Sequence, residues 1–294
     1  MNPTTESLGR IDAWLDRLAG ETDQARHSAE FTAYLVAMSR FWRYSQANTA
    51  LIWLQRPAAT MVNSKKRWAG LGYRLKAGEW KNSIHILCPH FTKIRDAETG
   101  EERETLAYFT TGYIYALEQV EPGPDAQPLT LRWQTMGDHH GALYRLLEHA
   151  CAHLHVRVEL SLDLPRGLEG FSDGRGVITL NGHAGIGDRA QTLVHELTHE
   201  MLHPTALRPQ FTKREVECQA EATAYCVLTA LGVEVPNAPQ YLALYGVSRD
   251  DLKRNAQAIH MGVKRILAAV EAVSQAASPG AVPGEGDAED GRAA

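Results

Sequence analysis

The 294-residue chain has only four cysteines, Cys88, Cys151, Cys218 and Cys226, and no two of them stand in CxxC spacing. That excludes a disulfide scaffold and reads as buried, reduced thiols in a cytosolic protein. No run of 18 or more apolar residues is present, which excludes a membrane-spanning helix. The first twenty residues, MNPTTESLGRIDAWLDRLAG, lack both an apolar core segment and a small-residue cleavage site. A cytoplasmic protein with no membrane partner is therefore expected. The 24 glycines show no triplet period, and a hydrophobic content of 44% is too high for a disordered chain. The length suits one large or two ordinary domains.

Negative charge is scarce in one stretch. Between Arg40 and Arg95 stand eleven basic residues and a single acidic one, Glu79, although the chain as a whole carries a net charge of −5. Four of the six tryptophans, Trp42, Trp53, Trp68 and Trp80, lie in the same window. A cationic, aromatic segment inside an acidic chain is a candidate polyanion-binding surface. Trp42 shares a helical stripe with Leu35 and Met38, and Trp53 lies in an apolar helix, so both are assigned to the core.

Apolar residues at helical spacing predict helices over 8–19 and through Phe31, Tyr34, Leu35, Met38 and Trp42, with a short one at 48–55 stopped by Pro57. From Ala69 the pattern turns to glycine turns and the strand-like runs SIHILCPH and LAYFTTGYIYAL. The stretch EQVEPGPDAQ, rich in acid, proline and glycine, predicts a linker. After it come a helix over 137–154, strands at 156–160 and 177–181 with a turn at Asp173-Gly174, and helices near 187–203, 213–231 and 247–275. The fold class expected is α+β, with domains at 1–117 and 131–277, a linker at 118–130 and a disordered acidic tail at 278–294.

Within the helix 187–203 lies His195-Glu196-Leu197-Thr198-His199. Residues i and i+4 share a helix face, so both imidazoles can hold one metal ion, with Glu196 beside them as proton carrier. Two histidines and a carboxylate leave one position open for water, which suits Zn2+. His203 lies eight residues beyond His195, roughly 12 Å along the same helix, too far to be a third ligand. It reads as a packed or capping histidine. The next helix offers Glu215, Glu217 and Glu221, and small Ala220, Ala222 and Ala224 let two helices approach. Glu217 is assigned as the ligand and Glu221 as the carboxylate that orients a ligand histidine. His149 and His153 are also four apart, but no glutamate stands between them as a base, so they read as ordinary core or surface histidines.

Two resemblances follow from these residues. Tyr44, Ser45, Asn48, Leu51, Ile52, Gln55, Pro57, Ala59, Thr60, Trp68, Gly72, Lys76, Gly78 and Glu79 resemble the N-terminal single-stranded-DNA-binding domain of ArdC-type antirestriction proteins. The usual Lys-Gly-Glu-Lys is replaced by Ala77-Gly78-Glu79-Trp80, with Lys81 one place later. Residues 188–232, with LVHELTHEMLH and then E-x-x-A-E-A-x-A-Y, resemble the zincin core shared by ArdC C-terminal domains and the ImmA/IrrE metallopeptidases. That resemblance implies His195, His199 and a helix-borne glutamate, best placed at Glu217, as ligands and Glu196 as the catalytic group.

The function so implied is a single-stranded-DNA-binding zinc metallopeptidase of the antirestriction type. Its partners would be single-stranded DNA and a protein substrate of unknown identity. Single-strand binders need backbone cations and aromatic platforms, and the basic window supplies both. The candidate DNA contacts are Lys65, Lys66, Arg67 and Lys76 for phosphates, Tyr44, Trp68 and Trp80 for bases, and Asn48. Two other readings stand beside it: a DNA-binding antirestriction module with a structural zinc, and an ImmA-like protease that cleaves a repressor.

Overall fold

The computed structural model describes residues 3–95, 102–129, 140–235 and 246–277. The elements run α1 (Pro3–Ala19), α2 (Gln24–Arg40), α3 (Gln46–Gln55), β1 (Val62–Ser64), α4 (Lys65–Gly70), β2 (Tyr73–Leu75), β3 (Ile84–Arg95), β4 (Glu102–Ala116) and β5 (Val120–Pro122). They continue as α5 (His140–His153), β6 (Arg157–Ser161), β7 (Gly170–Ser172), β8 (Val177–Asn181), α6 (Ile186–Leu202), α7 (Lys213–Ala230) and α8 (Arg249–Ala277). Helices and small sheets are segregated, so the fold is α+β. Among the described residues no helix is long and apolar enough to cross a membrane. The expected tail at 278–294 lies outside the described residues.

Contacts divide the chain into two compact units, and of the described residues the first holds 3–16, 43–95 and 102–129. Its main sheet has the order β1–β4–β3, antiparallel throughout, and β2 pairs β5 in a separate ribbon. One core gathers Met61, Trp68, Tyr115 and Val120 under Leu71, Tyr73 and Leu117. Trp14 of α1 meets Trp53 of α3 edge-on at 5.3 Å.

The stretch expected as a linker is instead built in. Val120 and Glu121 sit opposite Leu75 and Arg74 in the β2–β5 ribbon, and Arg74 Nε lies 2.9 Å from Glu121 Oε1. The chain then turns back on Gly72, whose φ is +81° and where a Cβ would lie 2.6 Å from the Asp125 carbonyl. Proline, glycine and acid at 118–127 thus mark a tight turn, with Gly123 N–H donating to Gly72 and Gln127 N–H to Leu71.

α3 protects the edge of β3. Asn48 Nδ2 donates to the Leu87 carbonyl at 2.9 Å while Leu87 N–H donates to Asn48 Oδ1 at 2.8 Å. One residue pair along, Gln55 does the same for His85, at 2.9 and 3.0 Å. Two amide side chains seven residues apart imitate a neighbouring strand and satisfy an otherwise open edge. Asn48→Ala leaves a buried N–H and a buried C=O without partners, an expected loss of about 2–4 kcal/mol in denaturant-melted stability.

The second unit holds 17–42, 140–235 and 246–277. The boundary therefore differs from the expected 1–117: α2 belongs with the second unit. Its stripe Phe31, Tyr34, Leu35 and Met38 is buried, and α2 packs on α7, where Cys226 Sγ–H donates to the Leu35 carbonyl at 3.4 Å. The sheet order is β6–β8–β7, with β6 and β8 parallel and β7 and β8 antiparallel. α6 lies against β7 and β8 and between α5 and α7, while α8 closes over α5 and α7. All four cysteines are free, and burial pushes the Cys151 and Cys218 thiols up to about 12.

Candidate metal centre

α6 presents His195 and His199 one turn apart, with Nε2 atoms 3.1 Å from each other. α7 brings Glu217 to them: its Oε2 lies 3.5 Å from His195 Nε2 and 4.0 Å from His199 Nε2. Ala220 and Ala222, both fully buried, belong to the same helix and keep its bulk small. A point about 2.1 Å from all three ligand atoms exists at this spacing, the bond length of zinc to imidazole nitrogen and carboxylate oxygen. Among the described residues these three alone form a group of this kind. Two bare imidazole nitrogens 3.1 Å apart call for a cation or a proton between them, so the donor set fits a divalent metal.

The electrostatics match. Burial, reinforced by the neighbouring His195 and His203, holds the His199 imidazole down to about 3, so it stays neutral as a ligand must. Burial also lowers His195, opposed by the Glu217 carboxylate. Burial first and the Glu217 charge second push the Glu196 carboxyl up to about 7. Glu196 lines a cleft of about 670 Å³ together with His195, Gly170, Thr192, Glu221 and Tyr225.

Glu221 does not hold the place expected of it. It faces this cleft and makes no described hydrogen bond to either ligand histidine. The partner of His199 is His203, the residue that ends α6: the two Nδ1 atoms are 3.2 Å apart, and His203 Nε2 lies 3.0 Å from Gln219 Oε1. The reason is distance along α7, since Gln219 stands between the two glutamates and turns toward α6. Glu215 is engaged elsewhere. It closes a capping box with Thr212, a T-x-x-E pattern at 212–215 that the sequence displays, and takes Arg254 at 3.1 Å.

Glu200 was not singled out by sequence, yet it is nearly fully buried. Oε1 accepts from Ser172 Oγ at 2.6 Å and from Gly174 N–H at 2.8 Å, and Oε2 accepts from Gly176 N–H at 2.8 Å. Gly174 and Gly176 have φ of +68° and +101°, so the β7–β8 turn aims alternate N–H groups at one carboxylate. The signal available was the D-G-x-G turn, whose Asp173 takes the Arg175 and Val177 N–H groups and leaves those of Gly174 and Gly176 to be met from outside.

The expected DNA contacts separate. Trp68 is 1% exposed, its Nε1–H donates to the Tyr115 carbonyl at 2.8 Å, and it offers no face for stacking. Asn48 is buried with its amide spent on Leu87, and Tyr44 is half-buried with its hydroxyl on the Val62 carbonyl. These three are placed in the structure of the unit because their polar atoms complete backbone pairs. Lys65, Lys66 and Lys76 are exposed, Arg67 is half-exposed, and Trp80 is 64% exposed with Lys81 Nζ 5.2 Å from its ring centre.

No curated protein matches the chain in sequence. Two crystal structures of the antirestriction protein ArdC from plasmid R388 are similar to it. The metal-free one has 17% identity and a TM-score of 0.48, covering 90% of this chain and 98% of that one. The Mn(II)-bound one has 16% identity and a TM-score of 0.41, covering 81% and 90%. Residues 152–231 match the family model of the IrrE N-terminal-like domain, peptidase M78, and that match runs from the end of α5 through α7, taking in every ligand of the candidate metal centre.

Proposed function

We propose that the second unit is a zinc-dependent peptidase and that Glu196 is its proton carrier. The observation that carries this reading is the His195–His199–Glu217 triangle beside a cleft into which a buried carboxylate faces. Three protein ligands rather than four among the described residues support a catalytic site over a structural one, because structural zinc sites are closed by protein on all sides. Bound zinc supplies Lewis acidity and makes an attacking water acidic near neutral pH. Glu196, facing the cleft beside the ligands, would take a proton from the attacking water and return it to the leaving amine. His195, His199 and Glu217 fix the position of the centre, and the cleft admits the peptide.

The test is Glu196→Gln in the full chain. It should keep zinc at the level of the parent protein and lose peptide hydrolysis by about 100-fold or more, the size of a general acid–base contribution. Undiminished cleavage by the purified variant would place the activity elsewhere. Zinc retained with no cleavage in the parent protein would favour the structural-zinc reading.

The first unit supports a second reading, binding of single-stranded DNA. Lys65, Lys66 and Arg67 stand together with no ion-pair partner among the described residues, at the start of a helix where cations gain nothing from the helix dipole. Trp80 supplies an open ring, and the β3–β4 ribbon adds exposed Phe91, Tyr108 and Tyr113 that sequence reading did not select. Trp80→Ala should cost ~1–3 kcal/mol of affinity across sequences. Binding by the full chain, read by fluorescence anisotropy, should weaken steeply with salt. Salt-independent binding would leave the window as a solvated face, and a repressor-cleaving protease would then be the better reading.

A further inference from the structure

We propose that His203, Gln219 and Asn255 are positioning residues that lock His199 in the tautomer whose Nε2 is free to take a metal ion. The inference rests on the metal-centre reading above and extends it to residues that touch neither metal nor substrate.

The direction of every proton in this chain follows from one backbone carbonyl. The Asp251 C=O can only accept, and Asn255 reaches it at 2.8 Å, so the atom facing it is the Nδ2 amide. Asn255 Oδ1 is thereby left to accept from Gln219 Nε2 at 2.8 Å. The other end of Gln219, Oε1, then faces His203 Nε2 at 3.0 Å, and that nitrogen must carry its proton. A neutral imidazole has one N–H, so His203 Nδ1 is bare and accepts. The nitrogen opposite it at 3.2 Å, His199 Nδ1, must donate. The remaining nitrogen of His199, Nε2, is left with an open lone pair. It points at His195 Nε2 and Glu217, where the ligand triangle lies.

Turning either amide over sets two oxygens face to face, and moving the His203 proton to Nδ1 leaves a bare Nε2 facing Gln219 Oε1. His203, Gln219 and Asn255 are at most 1% exposed, so such a mismatch has no solvent to relieve it. With one proton on it, the buried His203 ring satisfies both Gln219 and His199. The chain crosses three helices, from α6 through α7 to α8. It is a longer form of the arrangement in which a ligand histidine donates its second N–H to a fixed acceptor.

Two measurements on the full chain test it. Nitrogen-15 NMR of the histidine rings in the chelated protein at neutral pH should place the His199 proton on Nδ1 and the His203 proton on Nε2. A proton on His203 Nδ1 overturns the proposal. Zinc affinity, read by competition with a chromophoric chelator, should fall by about 10–100-fold in His203→Phe, which fills the space without an acceptor. Gln219→Leu should weaken it less. His203→Gln can accept from His199 and donate to Gln219, and it should recover most of the loss. Equal affinity in His203→Phe and the parent overturns the proposal, as does an equal loss in His203→Phe and His203→Gln that tracks melting of the metal-free chain. If the parent protein takes up no zinc, the metal-centre reading fails, while the ring-nitrogen spectrum still decides whether the lock exists.

Discussion

His199→Ala should abolish stoichiometric zinc binding, with a loss larger than the roughly 100-fold that removing a mere supporting partner costs. His199 is the most buried of the three ligands and its ring packs against His195 and against His203 at the end of α6. Its loss leaves His195 and Glu217, 3.5 Å apart, to share a metal with solvent. Glu217→Gln should weaken zinc strongly as well, because an amide oxygen carries no charge to offset the ion. Glu221→Gln should leave occupancy unchanged, since that carboxylate faces the cleft rather than the ligands. Metal analysis of the four proteins after dialysis reads all of this directly. Full occupancy in Glu217→Gln together with loss in Glu221→Gln would reverse the assignment of the third ligand.

Glu200→Ala should be the most destabilising single change in the second unit, by about 3–5 kcal/mol, because it strips a buried acceptor from three donors at once. Ser172 Oγ, Gly174 N–H and Gly176 N–H all end on this carboxylate. Gly174 N–H keeps only the longer bond to Ser172 Oγ at 3.1 Å, and the turn has little room to move, since a Cβ at Gly174 would lie 2.6 Å from Thr205 Oγ1. In a unit of this size the change corresponds to a fall in melting temperature of about 10 °C. Glu200→Gln retains one acceptor oxygen but turns an N–H toward a donor, so it should fall between the two. Thermal melts followed by circular dichroism check the order. A melt of Glu200→Ala within a degree or two of the parent would show that the turn finds other acceptors. Glu200 is the residue after the ligand His199, so loosening its hold on the β7–β8 turn should also weaken the metal site.

Local order in this chain was legible from spacing alone. A period of 3.6 residues shows in Ile11, Trp14, Leu15 and Leu18, and again in Phe31, Tyr34, Leu35 and Met38, and both stripes are buried. The strand at Val177–Asn181 begins and ends where its turn and alternation put it. His195 and His199 share a face because four residues are close to one helical turn, whatever surrounds them. Those features depend on neighbours in sequence, so sequence determines them.

Contacts between distant segments needed the tertiary structure. Trp68 reads as a stacking residue beside Lys65, Lys66 and Arg67 until Tyr115, 47 residues away, is seen to accept its N–H. The prolines and glycine of 118–127 read as a linker until the stretch is paired with β2. α2 reads as part of the first domain until α7 covers its apolar stripe. By sequence the supporting partner of a ligand histidine reads as the carboxylate Glu221. In the structure the partner of His199 is a histidine joined to a glutamine and an asparagine, drawn from three helices spread over 57 residues from 199 to 255. Amides and aromatics carry no local code for burial. Whether each binds a ligand or completes a core is decided only when long-range packing removes water from one of its faces.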